Sequence, residues 1–222
     1  MPFSTQQFLD VFASYNETVF PMQVVLLTLA LLGIHLAANG DRASSKTVAA
    51  ILSFLWLWMG AFYHFLFFSR INDAAWVFGA FFILQSAILF FAGVVREDLT
   101  FDRRTDRTSV VGTIVIVYAL VVYPIAGMTL DRSYPYSPTF GVPCPTTIFT
   151  FALLLRGGRT VPFYILPIPF LWSLLAFAAA YSLGIWEDVG LVIAGLLGTS
   201  LLLNQSSQHK YKLPHQLDLK EN

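Results

Sequence analysis

The chain has 222 residues, 56% of them hydrophobic and only 12% charged, with a mean hydropathy of +0.67. Soluble domains carry about 25% charged side chains, so this composition excludes a disordered chain, a nucleic-acid binder with a basic face and an ordinary cytosolic enzyme. The 13 basic and 13 acidic residues cancel, which leaves no field to steer a large charged partner, and the single cysteine, Cys144, rules out an internal disulfide or a multi-thiolate metal site. What remains is an all-α, polytopic protein of the lipid bilayer.

At the start of the chain, Ser4-Thr-Gln-Gln7 has the spacing of a capping box. Phe8, Phe12 and Tyr15 follow on one helical face, so residues 1–16 are predicted to form an interfacial helix on the outer surface. No Lys or Arg precedes Arg42, which does not fit a cleaved signal peptide. Asn16 is placed to cap the first span, with Pro21 tolerated in its opening turn.

A spanning helix needs roughly 20 apolar residues at about 1.5 Å each. Six stretches are read as spans: Val19–Ala38, Thr47–Phe68, Ala74–Val95, Ser109–Leu130, Val161–Leu183 and the shorter Val189–Leu203. A further apolar segment, Thr146–Leu155, covers only about 15 Å as a helix.

Positive charges decide whether it crosses. If all seven segments cross with the N-terminus outside, the inner side holds Arg42, Lys46, Arg96, Arg103, Arg104, Arg107, Arg156, Arg159, Lys210, Lys212 and Lys220, eleven in all. The outer side then holds only Arg70 and Arg132. A re-entrant Thr146–Leu155 would move everything from Arg156 onward, giving six inside and seven outside. The positive-inside rule selects seven spans, N-out and C-in, over residues 17–204. A polar cytoplasmic tail, predicted to be poorly ordered, occupies 205–222. The Arg96–Thr108 loop alternates acids and arginines and is predicted to be solvated.

All acids and bases lie at span ends, in loops or in tails. Intramembrane charge marks proton relays, voltage sensors and cofactor attachment, so its absence argues against a pump, an S4-type sensor, a carboxylate-driven symporter and a retinal protein. The polar groups at depth are neutral: Thr28, Ser53, Gln85, Ser86, Thr113, Tyr118, Ser173, Thr199 and Ser200. Hydrogen bonding between helices is their ordinary use. Gln85 stands apart, because its large amide is costly unless paired or facing water.

The outer half gathers the candidate site. Prolines 135, 138, 143 and 145 should keep helix from starting before Pro145. The short fifth helix is then preceded by an extended run, Phe140–Cys144. Irregular backbone at membrane depth is either buried in protein or lines a wet cavity, and broken helices point to transporter sites. The helix N-terminus with Thr146 and Thr147 would line such a cavity, and Cys144 would project into it as a reactive thiol. The alternative is a structural plug.

Glu17, Tyr63, His64, Asn72 and Tyr123 belong to the same half. His64, set in Tyr-His-Phe-Leu-Phe-Phe, needs a partner or a cavity, and a packed helix histidine is the plain alternative. His35 lies at the opposite end of its span, so the two cannot hold one haem. His64, Met128 and Cys144 are soft enough ligands for copper(I), but nothing fixes their spacing, and no cofactor is expected. Trp58, Trp76, Trp172 and Trp186 are assigned to the interfacial belt. No nucleophile elbow, P-loop, HExxH or GxGxxG supports an enzyme.

The spans group as three, one and three, with tight outer turns at Ser69–Asp73 and Gly184–Asp188. This parallel 3+1+3 repeat is similar in architecture to the SWEET sugar transporters. Two blocks carry a closer likeness: Tyr63-His-Phe-Leu-Phe-Phe-Ser-Arg-Ile-Asn-Asp-Ala-Ala-Trp-Val-Phe-Gly79 and Tyr134-Pro-Tyr-Ser-Pro-Thr-Phe-Gly-Val-Pro-Cys-Pro-Thr-Thr-Ile-Phe-Thr150. They resemble an uncharacterised bacterial family of small multi-pass membrane proteins. In that family a His often stands before the Tyr-Pro pair, where this chain has Asp131-Arg132. The resemblance implies residence in a bacterial inner membrane and no particular activity. The second span and its Ile-Asn turn are also similar, over a short stretch, to urea and amide channels.

The reading these features favour is a channel or facilitator for a small neutral or weakly polar solute. The competing readings are a non-transporting sensor, ligand-binding or assembly protein and, last, a membrane-embedded enzyme or metal-binding protein. An oligomer is compatible with any of them.

Overall fold

The computed structural model describes residues 2–129 and 132–218. Eight helices carry the fold: α1 (Thr5–Val19), α2 (Met22–Leu36), α3 (Arg42–Arg70), α4 (Ala74–Val95), α5 (Arg107–Met128), α6 (Pro143–Gly157), α7 (Phe163–Leu183) and α8 (Val189–Asp218). Five segments are long and apolar enough to cross a membrane, namely α3, α4, α5, α7 and Trp186–Gln205; α1 and α2 together make a sixth if a pair bent by 87° counts as one. Exposed Val24, Leu31, Phe81, Ile114, Leu171 and Leu196 give the outer surface the apolar character that lipid contact requires.

Local chemistry sets the helix ends. Ser4 accepts the Gln7 N–H and Gln7 reaches back to the Ser4 N–H, closing the capping box. Asp41 caps α3 through the Ser44 N–H at 2.8 Å, and Asp106 caps α5 through that of Ser109 at 3.0 Å. Gly184, at φ +70°, ends α7 in the left-handed turn that only glycine takes cheaply.

The helices pack into one bundle whose connecting segments gather in two groups. At one end the 96–106 loop docks onto the bundle. Phe101 pairs with Gly158 in a two-stranded antiparallel sheet, β1 (Thr100–Phe101) with β2 (Gly158–Thr160). Leu99 and Phe101 are buried, and the Phe101 N–H donates to Ser45 Oγ at 3.1 Å. The loop expected to be solvated is thus anchored by its two apolar residues. At the other end lie α1, the α3–α4 turn, residues 132–142 and the α7–α8 turn.

Helix α6 is the axis of the bundle: every residue of it except Arg156 is buried. Its 15 residues span about 22 Å, with α5 and α8 packed against it. Lipid is as apolar as leucine, so close packing and hydrogen bonds hold such a helix in a bilayer more than hydrophobic transfer does. Gly112 lets α5 touch the α6 backbone, Gly198 lets α8 close on the Phe151 side chain of α6, and Gly195 makes room for Ser173 of α7. Trp56 Nε1 donates to Thr150 Oγ1 at 3.1 Å, and the Thr150 hydroxyl donates to the Thr146 carbonyl at 2.9 Å.

Three expectations change. Helix α6 begins at Pro143, not at Pro145 or later. First-turn N–H groups have no intrahelical partner, so prolines at 143 and 145 remove nothing the helix uses. The extended run therefore shrinks, and Cys144 lies inside the first turn. Asn16 does not cap a span: α1 continues to Val19, which places Asn16 in its last turn, bonded to residues 135–139. The expected first span, Val19–Ala38, is also cut to Met22–Leu36 by the bend at Phe20-Pro21. Beyond Gln205 the backbone of α8 stays helical to Asp218; residues 219–222, and Asp131 of the departure from the family pattern, lie outside the described residues.

Candidate ligand cavity

The aromatic face of α1 makes the site. Phe12 and Tyr15 meet Tyr63 with ring centres 6.0 and 5.7 Å apart, and Phe3 and Phe8 meet Phe68 at 5.5 and 5.9 Å. Two hydrogen-bonded residues fix this helix against the bundle. Tyr15 accepts from Trp58 Nε1 at 2.7 Å and donates to the Gly141 carbonyl at 3.3 Å. The Asn16 amide donates to the carbonyls of Pro135 and Ser137, at 2.6 and 2.8 Å, while its oxygen accepts the Thr139 hydroxyl at 2.7 Å. Gly141, at φ +105°, donates its N–H to Thr146 Oγ1 at 3.1 Å. A Cβ there would stand 2.4 Å from Leu26, so both the backbone angle and the space require glycine.

Between α1, α3, the start of α6 and α7 this packing leaves a cavity of about 180 Å³. Its walls are almost entirely apolar, from the α1 phenylalanines, Tyr63, Phe78 and Trp172. The polar groups in the wall include Asn72 from the α3–α4 turn, Cys144 from the first turn of α6 and Asp188 from the α7–α8 turn. Both short turns singled out by the repeat pattern therefore contribute a side chain.

Asp188 is 4% exposed. Tyr123 donates to its Oδ1 at 2.6 Å, and the Cys144 thiol lies within hydrogen-bonding reach of the same carboxylate. Next to it Glu187 pairs with Arg132 at 2.7 Å, and the Tyr118 hydroxyl donates to the Glu187 carbonyl at 2.6 Å.

His64 stands behind the wall. It is fully buried, its ring meets Phe82 at 4.6 Å, Trp172 at 5.2 Å and Phe68 and Phe78 at 6.0 Å, and neither ring nitrogen has a partner among the described residues. Gln85, one turn from Phe82, donates to the Ile165 carbonyl at 2.9 Å and leaves its oxygen unpaired; Thr147 Oγ1 is also buried without a partner. Asn72 Oδ1 accepts the Ala74 N–H at 3.1 Å.

Of the sequence candidates, the cavity brings together Tyr63, Asn72 and Cys144, with Tyr123 reaching it through Asp188. His64, Gln85, Thr146 and Thr147 lie in the surrounding core. Glu17 is exposed on α1, and Met128, 58% exposed, is not in the cavity wall with Cys144. Among the described residues no three His, Cys, Asp or Glu side chains converge as metal ligands.

Sequence reasoning missed Asp188, the α1 phenylalanines and Trp172. Asp188 sits at a span end, where acids are ordinarily wet; the sole clue was that the acids of that end, Asp10, Glu17, Asp73, Asp131, Glu187 and Asp188, outnumber Arg70 and Arg132. Trp172 was assigned to the belt, yet it faces inward, and Trp58 hydrogen-bonds inside the protein.

No curated protein and no solved structure matches the chain. Over residues 5–212 its sequence matches DUF6064, a family of unknown function, and to that family the chain belongs.

Proposed function

We propose that the protein is an integral membrane protein that binds one small, mostly apolar molecule in the cavity beside α1. The bundle lies N-out and C-in across a bacterial inner membrane, and its seven passes are α2 to α8. The orientation rests on the eleven-to-two division of Lys and Arg between the two ends. The binding reading rests on one observation: the cavity is walled by aromatic rings at one end of the bundle, while α6 fills the axis beneath it. A dry apolar cavity of roughly 150 Å³ accommodates a benzene ring, so about 180 Å³ suits a ligand of one ring and a short substituent.

A facilitator for a small neutral solute is the second reading. The buried polar atoms without partners, on His64, Gln85 and Thr147, favour it, because they would suit a hydrated path deeper into the bundle.

Two measurements separate the readings. A ligand that binds only the folded state raises the melting temperature with concentration. Toluene should do so for the wild-type chain and not for Ala176→Phe, which fills the cavity. No shift in the wild type removes the binding reading. Swelling of proteoliposomes in a panel of solutes tests the facilitator; entry no faster than into empty liposomes removes it.

A further inference from the structure

The cavity end of the bundle carries a charge imbalance. Arg132, Glu187 and Asp188 are all buried. Arg132 is spent on Glu187. Among the described residues no Lys or Arg forms an ion pair with Asp188; its neighbours are the Tyr123 hydroxyl and the Cys144 thiol, which are neutral donors. The other basic residue of that end, Arg70, instead lies over the Phe67 ring at 4.9 Å. One positive charge thus faces two carboxylates. A buried carboxylate without a cation is costly, yet this one borders a cavity instead of solvent.

Much of the remaining wall is aromatic, and the faces of aromatic rings attract cations through their quadrupoles. Tyr63, Phe12, Phe78 and Trp172 border the same space as Asp188. A carboxylate at one end of an aromatic box matches a small organic ammonium ion, with the charge toward Asp188 and an apolar body against the rings. A neutral apolar ligand would fill the volume and bring no charge to Asp188. An anion would meet the carboxylate directly.

We infer that the ligand of this cavity is a hydrophobic ammonium cation, a protonated or quaternary amine bearing about one ring's worth of apolar surface, recognised by Asp188 together with Tyr63 and Trp172. The inference rests on the binding reading above and adds the chemical class of the ligand.

The test compares 2-phenylethylamine with 2-phenylethanol, which share a ring and a chain and differ in charge, by calorimetric titration of the full chain in non-ionic detergent. The amine should bind at least about tenfold more tightly than the alcohol, as expected for a desolvated cation against a carboxylate and aromatic faces. Asp188→Asn keeps an acceptor for the Tyr123 hydroxyl and removes the charge, and it should erase the difference between amine and alcohol. Phenethyltrimethylammonium keeps the inference testable if that variant does not fold. It has no N–H to donate, and it should still bind the wild type more tightly than the alcohol. Equal affinities of the wild type for amine and alcohol, or an Asp188→Asn chain that still prefers the amine, would overturn the ammonium assignment and leave the cavity as a binding site. Failure of all three compounds to bind would overturn the binding reading itself.

Discussion

The two ends of the bundle treat a carboxylate in opposite ways. Asp188 is enclosed and forms no ion pair among the described residues, whereas Glu97, just past the end of α4, is gripped by Arg42 and by Lys46 at 2.8 Å. Hydrogen bonds from those two side chains hold the Glu97 carboxyl well below its ordinary 4.5, at about 2. A carboxylate whose folded value is depressed stabilises the protein fully above its unfolded value, and that contribution is lost as pH falls through the folded one. The melting temperatures of wild type and Glu97→Gln should therefore differ most above pH 4.5 and converge as pH falls toward 2, measured by thermal unfolding across that range. Added salt should also shrink the gap, because the pair is exposed and screened. A gap unchanged with pH would mean that the pair adds nothing. Sequence could place Glu97 and Asp188 equally well at helix ends and could not separate them. What distinguishes them is whether the turn carrying each one faces water or folds under α1, and that is decided by Asn16 and Tyr15 bonding to residues far along the chain.

Among the helices, α4 and α6 read alike as apolar segments, but α4 exposes Val77, Phe81 and Leu84 while α6 exposes no large hydrophobic side chain. Hydropathy reports only that a residue avoids water and does not say whether lipid or protein replaces it. The eight helices, their order and the shortness of the segment before Arg156 were therefore legible, and the central position of α6 was not. Its clue lay in small residues on its partners. At Gly112 an added Cβ would stand 2.4 Å from the Arg156 nitrogen and 2.8 Å from the Ala152 carbonyl oxygen. Alanine is the better helix former by about 1 kcal/mol, but the obstacle here is backbone, which cannot rotate away. Gly112→Ala should cost a net ~1–3 kcal/mol through forced separation of α5 from α6, seen as a lower midpoint of thermal or denaturant unfolding in detergent. A raised midpoint would show that the helix contact yields and that propensity wins. The aromatic cluster of α1 was half legible: its capping box and its Phe8, Phe12 and Tyr15 face are present as expected, but the face covers a cavity and the end of α3.

For the whole molecule, the alternation of helix ends makes a claim that chemistry can check. Cysteines introduced at Ser69 and Ser133 should react with a membrane-impermeant reagent added to intact cells, and those at Thr105 and Ser207 only after permeabilisation; Ser45, expected on the same inner side, is buried against Phe101 and is no accessible probe. Labelling of Ser207→Cys from outside would overturn the N-out, C-in arrangement of seven passes. The enclosure of α6 also bears on how the protein is made. A ribosome delivers α6 before α7 and α8 exist, so for that interval the future axis of the bundle has α5, Trp56 of α3 and Gly33 of α2 beside it and an open side where α8 will pack. Thr146 and Thr150 already have Gly141 and Trp56 as hydrogen-bond partners, whereas the face that meets Gly195 and Gly198 of α8 is still open. The bundle's innermost helix must wait, half-housed, for the last third of the chain to close around it, and a message truncated before α7 would yield a product whose centre faces outward to the cell's membrane proteases.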